Sequence, residues 1–258
     1  MSTNPKVIAV IPARWGSSRF PGKPLALIKG KPMIQWVFEQ ASKAKFVSEV
    51  IVATDDSRIL ETVNTFGGNA VMTSVNHESG TDRIAEVVRN KKCEIVVNVQ
   101  GDEPLISPVN IDLIVQPLLE GISESTVTLR ILIKSLDELM DRNITKVVVD
   151  KSSSALYFSK ALIPWDRDNI IQNSPVDPLK PFWYKHIGLY AYRKNFLMEF
   201  GSLATSGLEQ IEKLEQLRIL ENGFSIKVVE TFLDSISVDC EGDIVMIEKC
   251  LAGQSVLL

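Results

Sequence analysis

The chain has 258 residues, of which 45% are hydrophobic and 23% are charged, and its formal net charge is −4. This composition is ordinary for a globular protein, and the negative balance excludes the broad cationic surface that general nucleic-acid binding requires. No apolar run approaches the roughly 20 residues that a membrane-spanning helix needs, so we expect no membrane insertion.

The cysteines and the first residues indicate where the protein works. Cys93, Cys240 and Cys250 are odd in number and have no C-x-x-C spacing, which is typical of a reducing compartment and argues against structural zinc. The segment before the first apolar run is polar and does not resemble a signal peptide. We therefore expect a cytoplasmic protein.

The first predicted element is a buried parallel strand over residues 7–11, followed by a cationic loop. The loop begins at Pro12 and carries Arg14, Arg19 and Lys23 together with two glycines. Glycine lets backbone N–H groups approach an oxyanion, arginine offers a planar fork, and lysine offers a point charge. The loop is neither a Walker A sequence nor GxGxxG. It predicts a polyphosphate-binding site of another design.

Strands and helices alternate after this loop. The periodicity and capping residues predict helices over 32–45, 58–66 and 80–90, and strands over 50–54, 70–73 and 94–99. This alternation predicts an α/β fold with a mostly parallel, doubly wound sheet. Ligands of such sheets bind at the carboxyl ends of the strands, and the cationic loop lies at one of these ends.

The second half of the chain is richer in strands. It contains predicted strands over 126–134, 146–149, 155–159, 186–192 and 225–229, and predicted helices over 207–220 and 243–252. The polar, proline-rich residues 165–182 predict a surface loop. The sequence shows no internal repeat.

Acidic residues follow the apolar strand 94–99. Asp102 and Glu103 come directly after Gly101, at the predicted carboxyl end of the sheet. Mg²⁺ takes a few carboxylates together with waters and phosphate oxygens. Asp102 could instead cap the following turn. Because phosphate sites and Mg²⁺ sites occur together, we favour Asp102 as a metal ligand.

A second acidic segment precedes the last predicted helix. Asp239 follows an apolar residue, as a second metal ligand would, and Glu241 and Asp243 come shortly after it. An aspartate before a helix is also the usual N-cap. The residues alone leave both interpretations open.

Residues 77–83 form a further candidate site. Ser79, Gly80 and Arg83 could contact a base or a ribose, but an N-cap for the next helix explains much of the same pattern. His186 and Tyr190 share one face of a predicted strand, where a lone histidine is more often a structural hydrogen-bonding group.

Three charged or polar residues of the second half have a structural explanation as well as a functional one. Arg167 could clamp an anion or be a solvated loop charge. Glu215 and Gln216 fall on the predicted helix 207–220, where the default is a solvated face.

The motifs, taken in order, resemble those of the 3-deoxy-D-manno-octulosonate (Kdo) cytidylyltransferases. The resemblance covers essentially the whole chain, through the segments Pro-Ala-Arg-Trp-Gly-Ser-Ser-Arg-Phe-Pro-Gly-Lys-Pro, Val-Ala-Thr-Asp-Asp, Ser-Gly-Thr-Asp-Arg, Val-Asn-Val-Gln-Gly-Asp-Glu-Pro, Ile-Pro-Trp-Asp-Arg, His-Ile-Gly-Leu-Tyr and Leu-Glu-Gln-Leu-Arg. It implies the nucleotide-diphosphosugar-transferase fold and the reaction CTP + Kdo → CMP-Kdo + diphosphate, with Mg²⁺, in lipopolysaccharide biosynthesis. It also implies a homodimer.

The resemblance further implies roles for single residues. Catalytic residues would be Arg14, Lys23, Asp102 and Asp239, of which Asp102 and Asp239 bind Mg²⁺. The CTP side would comprise Ala13, Arg14, Arg19, Lys23, Ser79, Gly80, Arg83 and Gln100. The sugar side would comprise Gln100, Arg167, His186, Tyr190, Glu215 and Gln216.

The resemblance divides one α/β domain, residues 1–258, into two parts. Residues from about 1 to 125 would bind the nucleotide, and those from about 126 to 236 would bind the sugar and form the dimer. The chain departs from the family pattern at Cys240-Glu241-Gly242, where glycine in a first helical turn should loosen the helix start.

Two kinds of alternative remain open. An enzyme of the same kind could use 8-amino-3,8-dideoxy-octulosonate or a sialic acid instead of Kdo. A nucleotide-binding regulator that kept the fold but lost catalysis is a second alternative, and the presence of Arg14, Lys23, Asp102 and Asp239 together argues against it. An α/β interaction module would leave the three cations and the two strand-end acids unexplained.

Overall fold

The computed structural model describes residues 6–16, 20–167 and 183–253. The strands are β1 (Val7–Ala13), β2 (Leu27–Ile28), β3 (Lys31–Pro32), β4 (Glu49–Thr54), β5 (Ala70–Met72), β6 (Ile95–Asn98), β7 (Thr126–Leu132), β8 (Lys146–Val149), β9 (Ala155–Ser159), β10 (Tyr184–Arg193) and β11 (Ile226–Glu230). The helices are α1 (Met33–Ala41), α2 (Ser57–Thr65), α3 (Gly80–Val88), α4 (Pro108–Leu119), α5 (Leu136–Met140), α6 (Lys194–Phe200), α7 (Gly207–Glu212), α8 (Leu217–Glu221) and α9 (Glu241–Leu251).

One sheet organises the described part of the chain. Its main path has the order β11-β7-β10-β6-β1-β4-β5, and β8 joins it through β10. β1 is parallel to both β4 and β6, β5 is parallel to β4, and β11 is parallel to β7. β10 runs antiparallel between β6 and β7. This arrangement confirms the predicted α/β fold with a mostly parallel, doubly wound sheet.

The core lies on both faces of this sheet. Alternate side chains of β1 point to opposite faces, so that Ala9 and Ile11 join one apolar cluster while Ile8 and Val10 join the other. Helices α1, α2 and α4 cover the first face, and α3 and α6 cover the second. Because both faces are covered, the strand is apolar at every position. Within the described residues, no helix has the length and apolar character needed to cross a bilayer.

The first strand is longer than predicted. The sequence predicts an end at Pro12, but β1 continues to Ala13, and Pro12 pairs with Ala53 of β4. On its other side, β1 pairs with β6 only up to Val10. Proline is tolerated at Pro12 because that side of the strand has no ladder partner there.

The helix predicted over residues 207–220 is wrong as a single element. The chain forms α7 and α8, separated by Lys213 in the left-handed conformation at φ 56°. Lys213 ends α7, and Glu215 and Gln216 therefore lie in the connection before α8. Apolar periodicity continued across this break, which is why the sequence did not reveal it.

Other boundaries differ by a few residues. The helix predicted over 32–45 ends early, at Ala41, while β8 and β9 begin and end where predicted.

The prediction omitted α4, α5, α6 and the small β2–β3 hairpin. Ser107, which caps α4 ahead of a proline, was an available signal for that helix. Of the predicted loop 165–182, residues 168–182 lie outside the described residues.

Candidate active site

A cleft of about 350 Å³ opens at the carboxyl end of the sheet, where β1 and β6 end. The loop after β1, the start of α3, the end of β6 and the segment before α9 form its walls. The predicted residues that line it are Arg14, Lys23, Ser79, Gly80, Arg83, Gln100, Asp102 and Asp239. Ala13 is buried at the end of β1, and Arg19 lies outside the described residues.

Lys23 connects two walls of the cleft. Its ammonium donates to Oδ2 of Asp102 at 2.6 Å and to the carbonyl oxygen of Val238 at 2.8 Å. Lys23 begins a short 3₁₀ turn directly after Gly22, whose φ is +71°. A Cβ on Gly22 would lie 2.8 Å from the ring of Trp15, so only glycine fits this approach. The loop therefore delivers a fixed positive charge to the acidic strand end.

The end of β6 lies close to the end of β1. A Cβ on Gly101 would come within 2.8 Å of the carbonyl oxygen of Pro12, so that glycine allows the two strand ends to meet. The next residue, Asp102, receives at its carbonyl oxygen the backbone N–H of Val238 at 2.8 Å. This contact joins the β6 end to the segment that carries Asp239.

Asp102 and Asp239 fit Mg²⁺ as a pair of carboxylate ligands. Mg²⁺ binds through one or two carboxylates, with waters and substrate phosphates completing its shell. The described residues contain no group of three or more His, Cys, Asp or Glu side chains that would hold a metal alone. The Lys23 ammonium already occupies a position against Asp102 and Val238, and this cation shows that the oxygens of this wall accept positive charge.

Asp243 fixes the backbone next to Asp239. Its Oδ2 accepts the N–H of Asp239 at 2.7 Å and that of Cys240 at 2.8 Å. Burial alone would raise the pKa of Asp243, but these backbone bonds outweigh it and the pKa is lowered. Helix α9 begins at Glu241. The carboxylate of Asp243 therefore caps the same first turn that contains the glycine noted in the sequence.

The start of α3 forms the opposite wall. Ser79 caps the helix by accepting the N–H of Asp82 at 3.1 Å, which confirms the capping interpretation without removing Ser79 from the cleft. Arg83 is only 4% exposed, and its guanidinium donates to Oδ2 of Asp55 at 2.6 Å and to Thr73. Arg83 thus holds the wall together as well as lining it.

A smaller pocket of about 70 Å³ adjoins the cleft through Gln100, which lines both. Tyr190, Glu215 and Gln216 lie around it. The Tyr190 hydroxyl and Oε1 of Glu215 are buried without a hydrogen-bond partner of ordinary geometry among the described residues. Burial raises the pKa of both groups. Two unsatisfied polar atoms in one pocket indicate a place for a polar ligand.

Glu215 also contacts the wall of the cleft that the start of α3 forms. Its Oε2 accepts a hydrogen bond from the Thr81 hydroxyl at 2.6 Å, and Thr81 belongs to the first turn of α3. This contact could not be predicted from the sequence, because the two residues are 134 positions apart.

His186 faces a third pocket, of about 270 Å³, rather than the one around Tyr190. Its Nε2 lies 2.9 Å from the Thr128 hydroxyl, and its ring centroid lies 5.3 Å from that of Tyr190. Burial lowers the pKa of His186 to about 3, so the ring is neutral at neutral pH. Arg167 is exposed, and the residues that follow it lie outside the described part.

Glu103 is a residue for which the sequence suggested no role. It is 8% exposed, and burial raises its pKa to about 7. The Ser235 hydroxyl donates to its Oε2 at 2.5 Å. The sequence placed Glu103 beside Asp102 but gave no sign that it points into the interior.

Known proteins match this chain over nearly its whole length. A family model described as Cytidylyltransferase matches residues 8–235. The 3-deoxy-manno-octulosonate cytidylyltransferase of Geotalea daltonii is 52% identical over 241 residues, which are 93% of this chain and 95% of that protein. The protein of the same description from Thermodesulfovibrio yellowstonii is 50% identical over 252 residues, covering 95% and 97%.

Solved cytidylyltransferase structures also match the chain. A structure of CMP:2-keto-3-deoxy-manno-octonic acid synthetase complexed with CTP superposes with a TM-score of 0.88 at 40% identity, and the match covers 96% of this chain and 99% of that one. A cytidylyltransferase from Leptospira borgpetersenii has a TM-score of 0.63 at 17% identity, covering 97% and 88%, and supports the fold alone.

Proposed function

Because the chain belongs to the 3-deoxy-manno-octulosonate cytidylyltransferase family, we propose that it converts CTP and Kdo to CMP-Kdo and diphosphate. It is a nucleotidyltransferase enzyme. The observation that carries the site assignment is the convergence of Lys23, Asp102 and Asp239 in one cleft, which Gln100 joins to a second polar pocket. A triphosphate and a sugar therefore have neighbouring places.

The reaction requires the attacking sugar hydroxyl and the departing diphosphate to lie in line on opposite sides of the α-phosphorus. The anomeric hydroxyl oxygen of Kdo forms a bond to the α-phosphorus of CTP while the bond from that phosphorus to the diphosphate oxygen breaks, and the hydroxyl proton passes to solvent water. Such phosphoryl transfers depend on positioning and charge neutralisation more than on covalent catalysis. The protein therefore needs fixed cations at the phosphates and a shaped sugar pocket.

We assign the nucleotide to the larger cleft. Arg14 and Lys23 would neutralise the triphosphate, and Lys23 would stabilise the charge of the departing diphosphate. For Arg19, which lies outside the described residues, the same role rests on the family resemblance alone. Ser79 and Gly80, at the start of α3, would face the cytidine. The 15% exposure of the Lys23 side chain supports this role, because a shielded ammonium acts more strongly on a phosphate than a solvated one.

We assign Mg²⁺ to Asp102 and Asp239. When bound, the ion would supply positive charge to the phosphates and lower the pKa of the attacking hydroxyl. The Asp243 carboxylate holds the backbone of Asp239 in place, and Lys23 shields the negative charge of Asp102. These contacts support the pair as a prepared site.

We assign the sugar to the pocket around Tyr190, Glu215 and Gln216. The unsatisfied hydroxyl and carboxylate oxygens there suit a polyhydroxylated ligand. Gln100 would contact both substrates near the reacting atoms. His186 would complete the sugar side through its ring contact with Tyr190. For Arg167, a role on the sugar side rests on the family resemblance alone.

We further propose a homodimer that works in the cytoplasm and supplies lipopolysaccharide biosynthesis. Several large apolar side chains of the second half are exposed, among them Leu156 at 62% and Phe232 at 87%, and a partner copy would cover such residues. Light scattering after size-exclusion chromatography tests the dimer.

The deciding experiment is diphosphate release from CTP and Mg²⁺ with a panel of acidic sugars. We expect release with Kdo. A preference for 8-amino-3,8-dideoxy-octulosonate or a sialic acid would change only the substrate, whereas no release with any sugar would favour the non-catalytic regulator.

A further inference from the structure

The segment that carries Asp239 toward the cleft has no regular secondary structure. Residues 231–238, called here the anchor segment, run from the end of β11 to Asp239. A coil segment keeps a fixed position only when its polar groups find partners. The contacts of the anchor segment therefore decide where Asp239 stands.

Side chains from distant elements hold the beginning of the anchor segment. The fully buried amide of Asn110, on α4, accepts from the Thr231 hydroxyl at 2.6 Å and donates to the carbonyl oxygen of Leu233 at 2.8 Å. Lys185, on β10, donates to Oδ2 of Asp234 at 2.7 Å. These contacts fix the half of the segment that lies farther from Asp239.

Glu103 holds the middle of the segment. The Ser235 hydroxyl donates to Oε2 of Glu103 at 2.5 Å, and the carboxyl is buried. The backbone of Glu103 is itself fixed, since its N–H donates to the Gln100 carbonyl at 3.3 Å and its carbonyl accepts from Ile106 N–H at 3.1 Å. The carboxyl therefore connects a rigid strand end to the anchor segment.

We propose that Glu103 is a positioning residue for the metal-binding pair, fixing Asp239 relative to Asp102 through its hydrogen bond to Ser235. Glu103 follows Asp102 directly, and Ser235 precedes Asp239 by four residues. This side-chain bond therefore spans the two segments that each carry one carboxylate, next to the backbone bond from the Val238 N–H to the Asp102 carbonyl oxygen. The inference rests on the proposed metal site of the enzyme.

The contact could instead be an ordinary buried hydrogen bond that stabilises the fold without affecting the site. The two interpretations differ in what they predict for metal affinity. A purely structural bond lowers stability when removed, whereas a positioning bond also weakens metal binding. Residues that orient metal ligands typically contribute about 10- to 100-fold to metal affinity.

The test is titration of Mn²⁺, followed by electron paramagnetic resonance, into the full-length protein holding CTP. We expect Glu103→Ala and Ser235→Ala each to raise the dissociation constant for Mn²⁺ about 10-fold or more. Glu103→Gln should stay close to the parent, because its amide oxygen still accepts from Ser235. Ser159→Ala is the matched control, since it removes another buried serine–glutamate bond, the 2.6 Å contact with Glu212.

The outcomes separate this inference from the proposed function. Mn²⁺ affinities of Glu103→Ala and Ser235→Ala equal to that of Ser159→Ala would overturn the positioning role, even if all three variants melt at lower temperature. A parent that binds no Mn²⁺ would also overturn it. A parent that binds Mn²⁺ but releases no diphosphate with any sugar would overturn only the proposed reaction.

Discussion

The ammonium of Lys23 lies 2.6 Å from Oδ2 of Asp102, so that a cation from the loop after β1 and a carboxylate from the end of β6 form an ion pair inside the cleft. The side chains are 15% and 29% exposed. Because both side chains still reach solvent, either group can exchange its partner for a phosphate or a metal ion without leaving a fully buried charge.

Replacing Asp102 by asparagine tests the metal assignment. We expect Asp102→Asn to lower kcat by about 100-fold or more, because it removes one of two anionic ligands and leaves part of the charge stabilisation missing. Diphosphate release at saturating Mg²⁺ measures the effect. Asp137→Asn, in the exposed first turn of α5, is the control. Activity of Asp102→Asn within a few-fold of the parent would contradict the assignment.

Lys23 should be needed for chemistry rather than for folding. Lys23→Met removes the ammonium that we assign to the phosphates, and loss of one such preorganised donor lowers kcat by about 10²- to 10³-fold. The melting temperature should change little, because the Asp102 carboxylate that loses its partner is 29% exposed and can be hydrated. Lys43→Met, an exposed lysine after α1, should retain the parent's rate. A large drop in melting temperature with unchanged kcat would reverse this interpretation.

The nucleotide side of the site could be predicted from sequence because its signals are local. The cationic loop follows a strand directly, and Asp102 comes directly after β6, so the rule that parallel strands end at one edge brings them together. The comparisons confirm the family and the fold. The roles of the single residues stay predictions that these experiments test.

The sugar side could not be predicted in the same way. The helix break at Lys213 depends on a left-handed backbone angle, which the spacing of apolar residues does not show. Because of this break, Glu215 lies in a connection and not in a helix. The Thr81–Glu215 contact and the burial of Glu103 arise from packing between distant segments. Only the folded arrangement reveals such contacts.

The Thr81–Glu215 hydrogen bond should connect nucleotide binding to sugar binding. Thr81→Val removes the donor to Oε2 of a carboxyl whose Oε1 already lacks a partner, so we expect unfolding free energy to fall by about 1–3 kcal/mol. The KM for the sugar should rise more than that for CTP, because Glu215 lines the pocket that we assign to the sugar. Glu215→Gln combined with Thr81→Val should be less than additive. Additive effects would show that the two residues act independently.

Asp243 should matter to both stability and metal use. Asp243→Ala removes the acceptor for the N–H groups of Asp239 and Cys240, and loss of such a cap costs about 0.5–2 kcal/mol. Because Asp239 loses a backbone restraint, the Mg²⁺ concentration for half-maximal rate should rise. Urea denaturation and a Mg²⁺ titration measure the two effects. Glu209→Ala, which disrupts the cap of α7, should lower stability without changing the Mg²⁺ requirement.

The burial of His186 makes stability depend on pH. Its pKa is about 3 in the folded protein and about 6.5 in the unfolded chain, so the unfolded chain binds an extra proton between these values. The free energy of unfolding should therefore decrease as pH falls below about 6.5, by at most about 1.4 kcal/mol per pH unit from this residue. Urea denaturation at pH 7.5, 6.5 and 5.5 measures the slope. His186→Gln should reduce the slope, because the variant has no imidazole to protonate at this buried position. Equal slopes in the parent and His186→Gln would mean that the folded protein accommodates a protonated His186 beside Thr128.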